Sequence, residues 1–209
     1  MRILIVDDHA MLRAGLKRVL EDEFEDLVVG EAGNADEAVR ALANGEWNVV
    51  LLDIALPGRS GIDVLPDIKR SHPSTPVIVL SSFGDQQFAV RSLRVGASAF
   101  LTKERAAREL IDAIRMVVSG RRYVSAELAE HLAALVAADQ PRSPHESLSS
   151  REFEVFRLIA SAKSVGDISA ELGLSVKTVS TYRARVLEKM GLSSNAELMQ
   201  YAIRHGLVS

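Results

Sequence analysis

The sequence predicts an α/β domain with a doubly wound, five-stranded parallel sheet, followed by a small all-α domain of four helices. Up to about residue 120, short runs that are apolar throughout alternate with amphipathic helical stretches. Such alternation is typical of a parallel sheet with helices on both faces. A stretch rich in Pro, Ser and polar residues then interrupts the pattern, and only helical periodicities follow it from Leu148 onward.

Five apolar runs predict the strands of the sheet. They are Ile3–Val6, Val28–Glu31, Val49–Leu52, Val77–Leu80 and Ala99–Leu101. The stretches between them carry apolar residues at helical spacing, as Leu12, Leu16 and Leu20 do after the first strand. A helix between each pair of strands indicates parallel strands in an open sheet.

After Gly120 the sequence predicts one Ala- and Leu-rich helix over 125–138, and then a linker over 139–145 without regular structure. Four helical periodicities follow. They are Ser150–Ser161, Val165–Leu172, Val176–Met190 and Asn195–His205. We therefore expect domains over 1–120 and 147–209, joined by a linker with a helix over 121–146.

Composition is that of a globular protein that can bury a sizeable core, with 47% hydrophobic and 25% charged residues among 209. The chain has no Cys, which excludes disulfides and thiolate metal sites. No apolar run approaches the roughly 18 to 20 residues that cross a bilayer. From the sequence we expect a cytoplasmic protein with no membrane partner.

The net charge of −3 is unevenly distributed along the chain. Residues 1–120 carry 14 Lys and Arg against 18 Asp and Glu, whereas residues 147–209 carry 8 against 6. The asymmetry permits contact between the C-terminal domain and DNA, but so small an excess of positive charge does not by itself indicate it.

Chemically active residues follow four of the predicted strands. Asp7 and Asp8 follow the first strand, Asp53 the third, Ser81 the fourth and Lys103 the fifth. In an open parallel sheet these positions meet at the carboxyl edge, where ligands bind. Three clustered carboxylates repel one another unless a cation lies among them, and hard oxygen ligands suit Mg²⁺.

Each of these residues also has an ordinary explanation, since an Asp after a strand often caps a helix and a single Lys is usually solvated. Together, however, they supply the groups that phosphoryl transfer needs: a nucleophile, a metal clamp and a counter-charge for the phosphate. We therefore favour a phosphoryl-transfer site over four unrelated surface residues.

At these residues the chain resembles the receiver domain of response regulators, over residues 1 to about 120, and the resemblance implies a flavodoxin-like fold. The matching positions are Asp7-Asp8, Asp53, Pro57-Gly58, Gly61, Ser81, Gly96-Ala97, Phe100 and Lys103. The resemblance implies that Asp53 is the phosphate acceptor and that Mg²⁺ is held by Asp8 directly, by Asp7 partly through water and by Asp53. Ala55 would add its backbone carbonyl.

The resemblance also implies a phosphohistidine donor and a switch. Lys103 would neutralise charge on the transferred group, Ser81 would turn in to bond it, and Phe100 would move into the vacated space. The alternative for Phe100 is a plain core aromatic. For His9, next to the acid pair, a polar role at a helix start is favoured over metal ligation, so we leave it out of the site.

In the C-terminal part, residues 165–184 contain a short helix, a turn at Gly173 and a second helix capped by Ser175. This spacing predicts a helix-turn-helix, with Ile168, Leu172, Leu174 and Val179 fixing the angle between the helices. An αα-hairpin in any helix bundle has the same spacing, so the spacing alone leaves both interpretations open.

Flanking residues distinguish the two. The segments 148–152, 177–179, 183–185, 188–191 and 201–208 resemble the LuxR-type four-helix DNA-binding domain, and the whole chain is similar to the NarL/FixJ subfamily of response regulators. Small side chains on the second helix would meet base edges in the major groove, and its cations would bind phosphates. The residues expected at DNA are Lys177, Thr178, Ser180, Thr181, Arg183, Ala184 and Arg185.

Two-fold DNA sites require a dimer. For the contact we name Leu198, Tyr201 and Ala202 on the last helix, with closure of the bundle as the alternative role of that face. The partners we expect are a sensor histidine kinase, promoter DNA and a second copy of the chain, with RNA polymerase as a further candidate.

Two other classes of protein are alternatives to the regulator that the resemblance implies. A phosphatase with an Asp nucleophile usually carries a second acid two residues later, and here that position is Ala55. A receiver that serves only as a docking module would not need its full acid set. We therefore expect a phosphoryl acceptor and not a turnover enzyme.

Overall fold

The computed structural model describes residues 1–82, 86–137 and 143–208. The chain forms two compact units, residues 1–137 and 138–209. The first unit contains a parallel sheet with helices, and the regular elements in the described part of the second are all helices. The predicted fold class is confirmed, whereas the precise limits of the predicted domains stay a prediction.

The sheet of the first unit has the strand order β2-β1-β3-β4-β5, with every pair parallel. Its strands are β1 (Arg2–Val6), β2 (Val28–Ala32), β3 (Val49–Asp53), β4 (Val77–Ser81) and β5 (Ala99–Thr102). Its helices are α1 (Ala10–Glu23), α2 (Ala35–Ala43), α3 (Gly61–Ser71), α4 (Gln86–Val95), α5 (Lys103–Val118) and α6 (Ala126–Ala137).

Helices cover both faces of this sheet, which explains why its central strands are apolar throughout. Ile3, Leu51 and Leu101 point toward one face, where they pack with Leu20 of α1 and Ile114 of α5. The residues that alternate with them along the strands point toward the opposite face. Every residue of β3 and β4 is buried as a result.

The edge strand β5 is followed by a segment that returns to its side. The Tyr123 amide donates to the Ser98 carbonyl over 3.0 Å, and Tyr123 forms a parallel bridge with Ala99. The chain then enters α6, which contacts α4 and buries Leu128. The helix predicted in this region is present, and it is packed onto the first unit.

Trp47 packs against the opposite edge of the sheet. Its indole lies over Gly30 of β2 so closely that a Cβ built on Gly30 would be 2.2 Å from a ring carbon. The Arg2 guanidinium lies 5.1 Å from the ring centroid, and Trp47 Nε1 donates to the Ala41 carbonyl over 3.0 Å. Glycine is thus required at position 30 by the space that the indole occupies.

The second unit contains the four predicted helices, two of them one residue shorter than expected. They are α7 (Ser150–Ala160), α8 (Val165–Leu172), α9 (Val176–Met190) and α10 (Asn195–Arg204). Each follows a serine whose hydroxyl accepts a hydrogen bond from a backbone amide of the first turn, which satisfies an amide that the helix itself leaves unpaired. These serines set the starts of the helices.

The predicted lack of regular structure over 139–145 is wrong in its last part. Pro144–Ser147 forms a short 3₁₀ helix that follows Ser143. Proline at the first position supplies a suitable φ, and the Ser143 amide donates to Glu146 Oε1 over 3.2 Å. Residues 139–142 lie outside the described residues.

Candidate functional site

The chemically active side chains of the first unit meet at the carboxyl edge of the sheet, as predicted from the strand ends. Asp7 follows β1, Asp53 and Ser81 end β3 and β4, and Lys103 begins α5 directly after β5. Asp7, Asp53 and Ser81 are at most 1% exposed. The site therefore holds two acids in an interior where water cannot solvate them.

Lys103 joins the two buried acids. Its Nζ lies 2.7 Å from Asp7 Oδ2 and 2.9 Å from Asp53 Oδ2. Charge-assisted contacts of this length both orient the carboxylates and offset part of their repulsion. One ammonium between two carboxylates still leaves the trio with an excess of negative charge.

The electrostatics of Asp53 follow from this placement. Burial and, to a smaller extent, the neighbouring Asp7 raise the pKa of Asp53, Lys103 opposes both effects, and the net result is a pKa of about 6. Burial disfavours the charged form of Lys103, but Asp53 and Asp7 outweigh it and hold the pKa of Lys103 above its usual value. The Ala55 backbone also bonds to Asp53, while the metal-binding role expected of the Ala55 carbonyl stays a prediction.

Gly61 allows α3 to begin beside Asp53. A Cβ built on Gly61 would lie 2.0 Å from the Asp53 carbonyl oxygen, and the Gly61 amide donates to Ile54 over 2.9 Å. Any larger residue would push the turn after β3 away from the sheet. The glycine thus fixes the loop that carries Ala55.

Carboxylate and imidazole atoms suited to a cation lie together at this edge. Asp7, Asp8, His9 and Asp53 each offer one ligand atom within 4.8 Å of the others. Asp53 Oδ1 is buried and has no hydrogen-bond partner among the described residues. A hard divalent cation fits this donor set, because it would both give Asp53 Oδ1 a partner and neutralise the excess negative charge.

His9 belongs to this cluster, although the sequence did not predict it as a member of the site. It precedes α1 as its cap residue, as expected of a polar residue at a helix start, but its side chain does not cap the helix. Instead His9 Nδ1 lies 2.7 Å from Asp8 Oδ1 and 3.2 Å from Asp7 Oδ1. Its position directly after the acid pair was the only sequence signal for this contact.

Phe100 lies beside α6, which the sequence did not reveal. It is 7% exposed and lines a cavity of about 260 Å³ together with Ala89 of α4 and Leu128 of α6. Arg105 at the mouth of this cavity pairs with Glu127 of α6, with NH2 and Oε2 2.6 Å apart. Any movement of Phe100 would therefore reach α6.

In the second unit, α8 and α9 form the predicted helix-turn-helix. Gly173 turns the chain with a φ of +60°, in the left-handed region that favours glycine. The Ser175 hydroxyl then accepts from the Thr178 amide over 3.1 Å and starts α9. Ile168 and Val179 are fully buried between the helices, as predicted, while Leu174 is half-buried.

Residues predicted to contact DNA fall into two groups on α9. Five are exposed on its outer side: Lys177, Ser180, Thr181, Ala184 and Arg185. Two are half-buried and bonded within the unit, since Thr178 Oγ1 lies 2.8 Å from Ser175 Oγ and Arg183 Nε donates to Asn195 Oδ1 over 2.6 Å. The first group forms a continuous accessible surface.

The residues named for a dimer contact on α10 take the alternative role given for their face, closure of the bundle. Leu198 and Ala202 are fully buried inside the unit, and Tyr201 Oη lies 2.6 Å from Nδ1 of His145. Their face closes the bundle, because α10 packs on α7 along it. Ile203, which is 68% exposed, lies on the other side of the same helix.

Comparisons with known proteins agree with this arrangement. Residues 3–115 match the family model of the response regulator receiver domain, and residues 146–202 match that of bacterial regulatory proteins of the luxR family. The chain is 38% identical to the response regulator GacA of Pseudomonas viridiflava, over 99% of this chain and 97% of that protein. It is 37% identical to UvrY of Escherichia coli K12, over 98% and 94%.

Solved structures show the same likeness. RcsB of Salmonella enterica serovar Typhimurium, bound to promoter rprA in the presence of the phosphomimetic BeF3⁻, is 25% identical with a TM-score of 0.64, over 96% of this chain and 97% of that one. A structure of two RcsB dimers bound to two parallel DNAs is 26% identical, with a TM-score of 0.60 and coverage of 96% and 97%.

Within the described residues, no helix is long and apolar enough to span a membrane.

Proposed function

This chain belongs to the NarL/FixJ-type response regulators, which join a receiver domain to a LuxR-family DNA-binding domain, and from that premise we propose that Asp53 is its phosphoryl acceptor. The protein is a two-component regulator that controls DNA binding and transcription. The observation that supports the acceptor assignment is the placement of Asp53. It is fully buried at the end of β3, oriented by Lys103 through one oxygen and unpartnered at the other among the described residues.

The proposed reaction transfers a phosphoryl group from a phosphohistidine of a sensor kinase. A carboxylate oxygen of Asp53 forms a bond to phosphorus, the phosphorus–nitrogen bond breaks, and the electron pair leaves with the imidazole nitrogen. Lys103 stays beside the acceptor and offsets the added charge. Mg²⁺ held by Asp7, Asp8, Asp53 and the Ala55 carbonyl would supply further positive charge at the phosphoryl oxygens.

We place the switch at the neighbouring strand ends. A phosphoryl group adds about two negative charges and three acceptor oxygens. The Ser81 hydroxyl would turn to donate a hydrogen bond to one of these oxygens. Phe100 then moves toward the vacated space by packing alone, since it has no hydroxyl. Because α6 lines the same cavity as Phe100, it is placed to respond to this movement.

The outcome that we propose is control over α9 and its exposed surface. RcsB has been solved with promoter DNA and as dimers on DNA, and we propose that this chain also binds promoter DNA as a homodimer. Because Leu198 and Ala202 are buried, the candidate for the dimer contact on α10 is the exposed Ile203. Action on promoters in the cytoplasm, with RNA polymerase as a further partner, completes the proposal.

We propose that the receiver accepts one phosphoryl group and does not turn over phosphoesters. The position two residues after the acceptor is Ala55, which has no acid to protonate a leaving group. This separates the chain from phosphatases that use an Asp nucleophile, whose second carboxyl group performs that step.

The acceptor assignment can be tested directly. The protein is incubated with Mg²⁺ and acetyl phosphate, and intact-mass spectrometry should show one added phosphoryl group in the wild type and in Asp67→Asn, but none in Asp53→Asn. Equal gain in Asp53→Asn would contradict the assignment. Wild-type DNA affinity of Asp53→Ala under the same treatment would instead favour a receiver that acts only by docking.

A further inference from the structure

An apolar side chain stands exposed at the start of the helix that we assign to DNA. Val176 is the first residue of α9 and is 55% exposed. Among the described residues of the second unit, the exposed large apolar side chains are Val176 and Ile203, and Ile203 lies on a different helix. Packing within the unit therefore gives no reason for a valine at position 176.

Val176 is in register with the other small residues of the outer surface. Ser180 and Ala184 follow it at spacings of four and eight residues, so the three side chains form one row along α9. All three are exposed. Val176 extends this row by one turn toward the amino end of the helix.

Hydrogen bonds hold this first turn in place. The Ser175 hydroxyl accepts from the Thr178 amide over 3.1 Å and also lies 2.8 Å from the Thr178 hydroxyl. The cap fixes the backbone on both sides of Val176 before any ligand arrives. Valine itself has few side-chain conformations, so its two methyl groups are presented at a defined place.

Thr181, which lies beside this row on the outer surface of α9, offers less hydrogen bonding than its residue type suggests. The Thr181 hydroxyl donates to the Lys177 carbonyl within the helix over 3.0 Å, so its proton is already used. What Thr181 adds to the surface is an acceptor lone pair and a methyl group. Apolar contact is therefore a large share of what the front of α9 can offer to a base edge.

We propose that Val176 is a specificity-determining residue that packs against the C5 methyl group of a thymine in the major groove. In helix-turn-helix proteins the amino-terminal residues of the second helix reach the base edges, and thymine is the base that presents an apolar group there. The inference rests on the proposed function of α9 in DNA binding. It names a feature of the target, a thymine opposite the start of α9.

The test uses the full-length protein treated with acetyl phosphate and Mg²⁺. A duplex is first selected from a random pool, and each of its thymines is then replaced singly by deoxyuridine, which lacks only the methyl group. Affinities are measured for the wild type, Val176→Ala and Val39→Ala. Val39 provides the matched control, because it is an exposed valine of the first unit, 42% exposed.

One position is expected at which deoxyuridine weakens wild-type binding by about fourfold, the equivalent of one methyl group removed from an apolar contact. Val176→Ala should bind the thymine duplex with a similar loss and show no further loss with deoxyuridine at that position. Val39→Ala should behave as the wild type. Such non-additivity reports direct contact between the two groups.

Two results would overturn the inference. Equal sensitivity of the wild type and Val176→Ala to every deoxyuridine would leave DNA binding by α9 intact and remove Val176 from base reading. Val176→Ala binding all duplexes as the wild type does would have the same meaning. If no sequence is enriched by the wild type, the proposed DNA-binding function fails together with the inference.

Discussion

The Lys103 ammonium contacts Asp53 at one carboxylate oxygen only, over 2.9 Å, and leaves the other oxygen, Oδ1, buried without a hydrogen-bond partner among the described residues. Lys103 therefore orients one side of the Asp53 carboxylate and not the other. A buried carboxylate in this position destabilises the folded chain until a cation compensates for it.

Asp53→Asn is expected to stabilise the metal-free protein above pH 6. Burial is the largest cause that raises the pKa of Asp53 from 3.8 to about 6. Between about pH 4 and pH 6 the folded chain therefore binds more protons than the unfolded chain, and the free energy of unfolding of the wild type falls as the pH rises. The free energy of unfolding of Asp53→Asn should exceed that of the wild type by up to about 3 kcal/mol at pH 8, and the difference should vanish near pH 4. Urea unfolding with EDTA measures it.

Asp67→Asn is the control of opposite sign for this experiment. Arg59 and Arg70 hold the pKa of Asp67 below its usual value, so its charge stabilises the folded chain at neutral pH. The variant should lose stability at pH 8 and approach the wild type in acid. If Asp53→Asn were more stable than the wild type by the same amount at pH 5 and pH 8, the result would argue against a buried carboxyl group with a raised pKa at position 53.

Mg²⁺ should raise the midpoint temperature of the wild type and have less effect on Asp8→Asn. Asp8 is 35% exposed at its side chain and can reach a cation from the solvent side. Binding to the folded chain alone at tenfold above Kd stabilises it by about 1.4 kcal/mol. The control is Glu21→Gln on the exposed part of α1, and an equal Mg²⁺ shift in all three proteins would exclude the acidic cluster as the binding site.

Gly30→Ala should destabilise the first unit by about 1–3 kcal/mol, because the new Cβ would lie 2.2 Å from the Trp47 ring and force the indole away. Gly15→Ala makes the same chemical change in α1, where no atom lies within 4 Å of the added Cβ. That variant should gain up to about 1 kcal/mol from helix propensity. Thermal unfolding that gives the two substitutions the same sign would refute the packing argument.

Leu128→Ala should loosen α6 on the first unit. Leu128 is 4% exposed and lines the cavity at Phe100, so the truncation removes apolar contact and enlarges a void. Hydrogen exchange measured by mass spectrometry should speed up in peptides that cover α6. Glu130→Ala, an exposed site on the same helix, is the comparison, and unchanged exchange in Leu128→Ala would mean that α6 is held by other contacts.

Lys177→Ala should weaken binding to all DNA duplexes by a similar factor and reduce the slope of log K against log salt by about 1. Lys177 is exposed at the amino end of α9, where a cation can reach a phosphate. Lys163→Ala serves as the control, because Lys163 is an exposed cation that precedes α8 and already pairs with Glu171. A change in base preference without a change in slope would assign Lys177 to the bases instead.

The acidic site could be predicted because strand ends in a parallel sheet have only one place to meet. Asp7, Asp53 and Lys103 are brought together by topology, which the apolar runs already reveal. The contact of His9 with the acids depends instead on a side-chain rotamer at the start of α1. No periodicity in the sequence reports such a rotamer.

Two other features depend on which surfaces meet, and a pattern of apolar residues does not specify that. The Ala- and Leu-rich run predicts α6 but not its packing beside Phe100, which is set by the bridge of Tyr123 to Ala99 and by the Arg105–Glu127 pair. On α10 the periodicity identifies an apolar face. Whether that face lies inside the unit or against a second copy is decided by the neighbouring helix α7.

The indole at the edge of the sheet gives the protein a built-in spectroscopic probe. Trp47 is the only tryptophan of the chain, and it belongs to the first compact unit. Its emission therefore follows the unfolding of the receiver alone, while far-ultraviolet circular dichroism follows the helices of both units. Coincident curves from the two signals would mean that the units unfold together, and separated curves would give each unit its own stability.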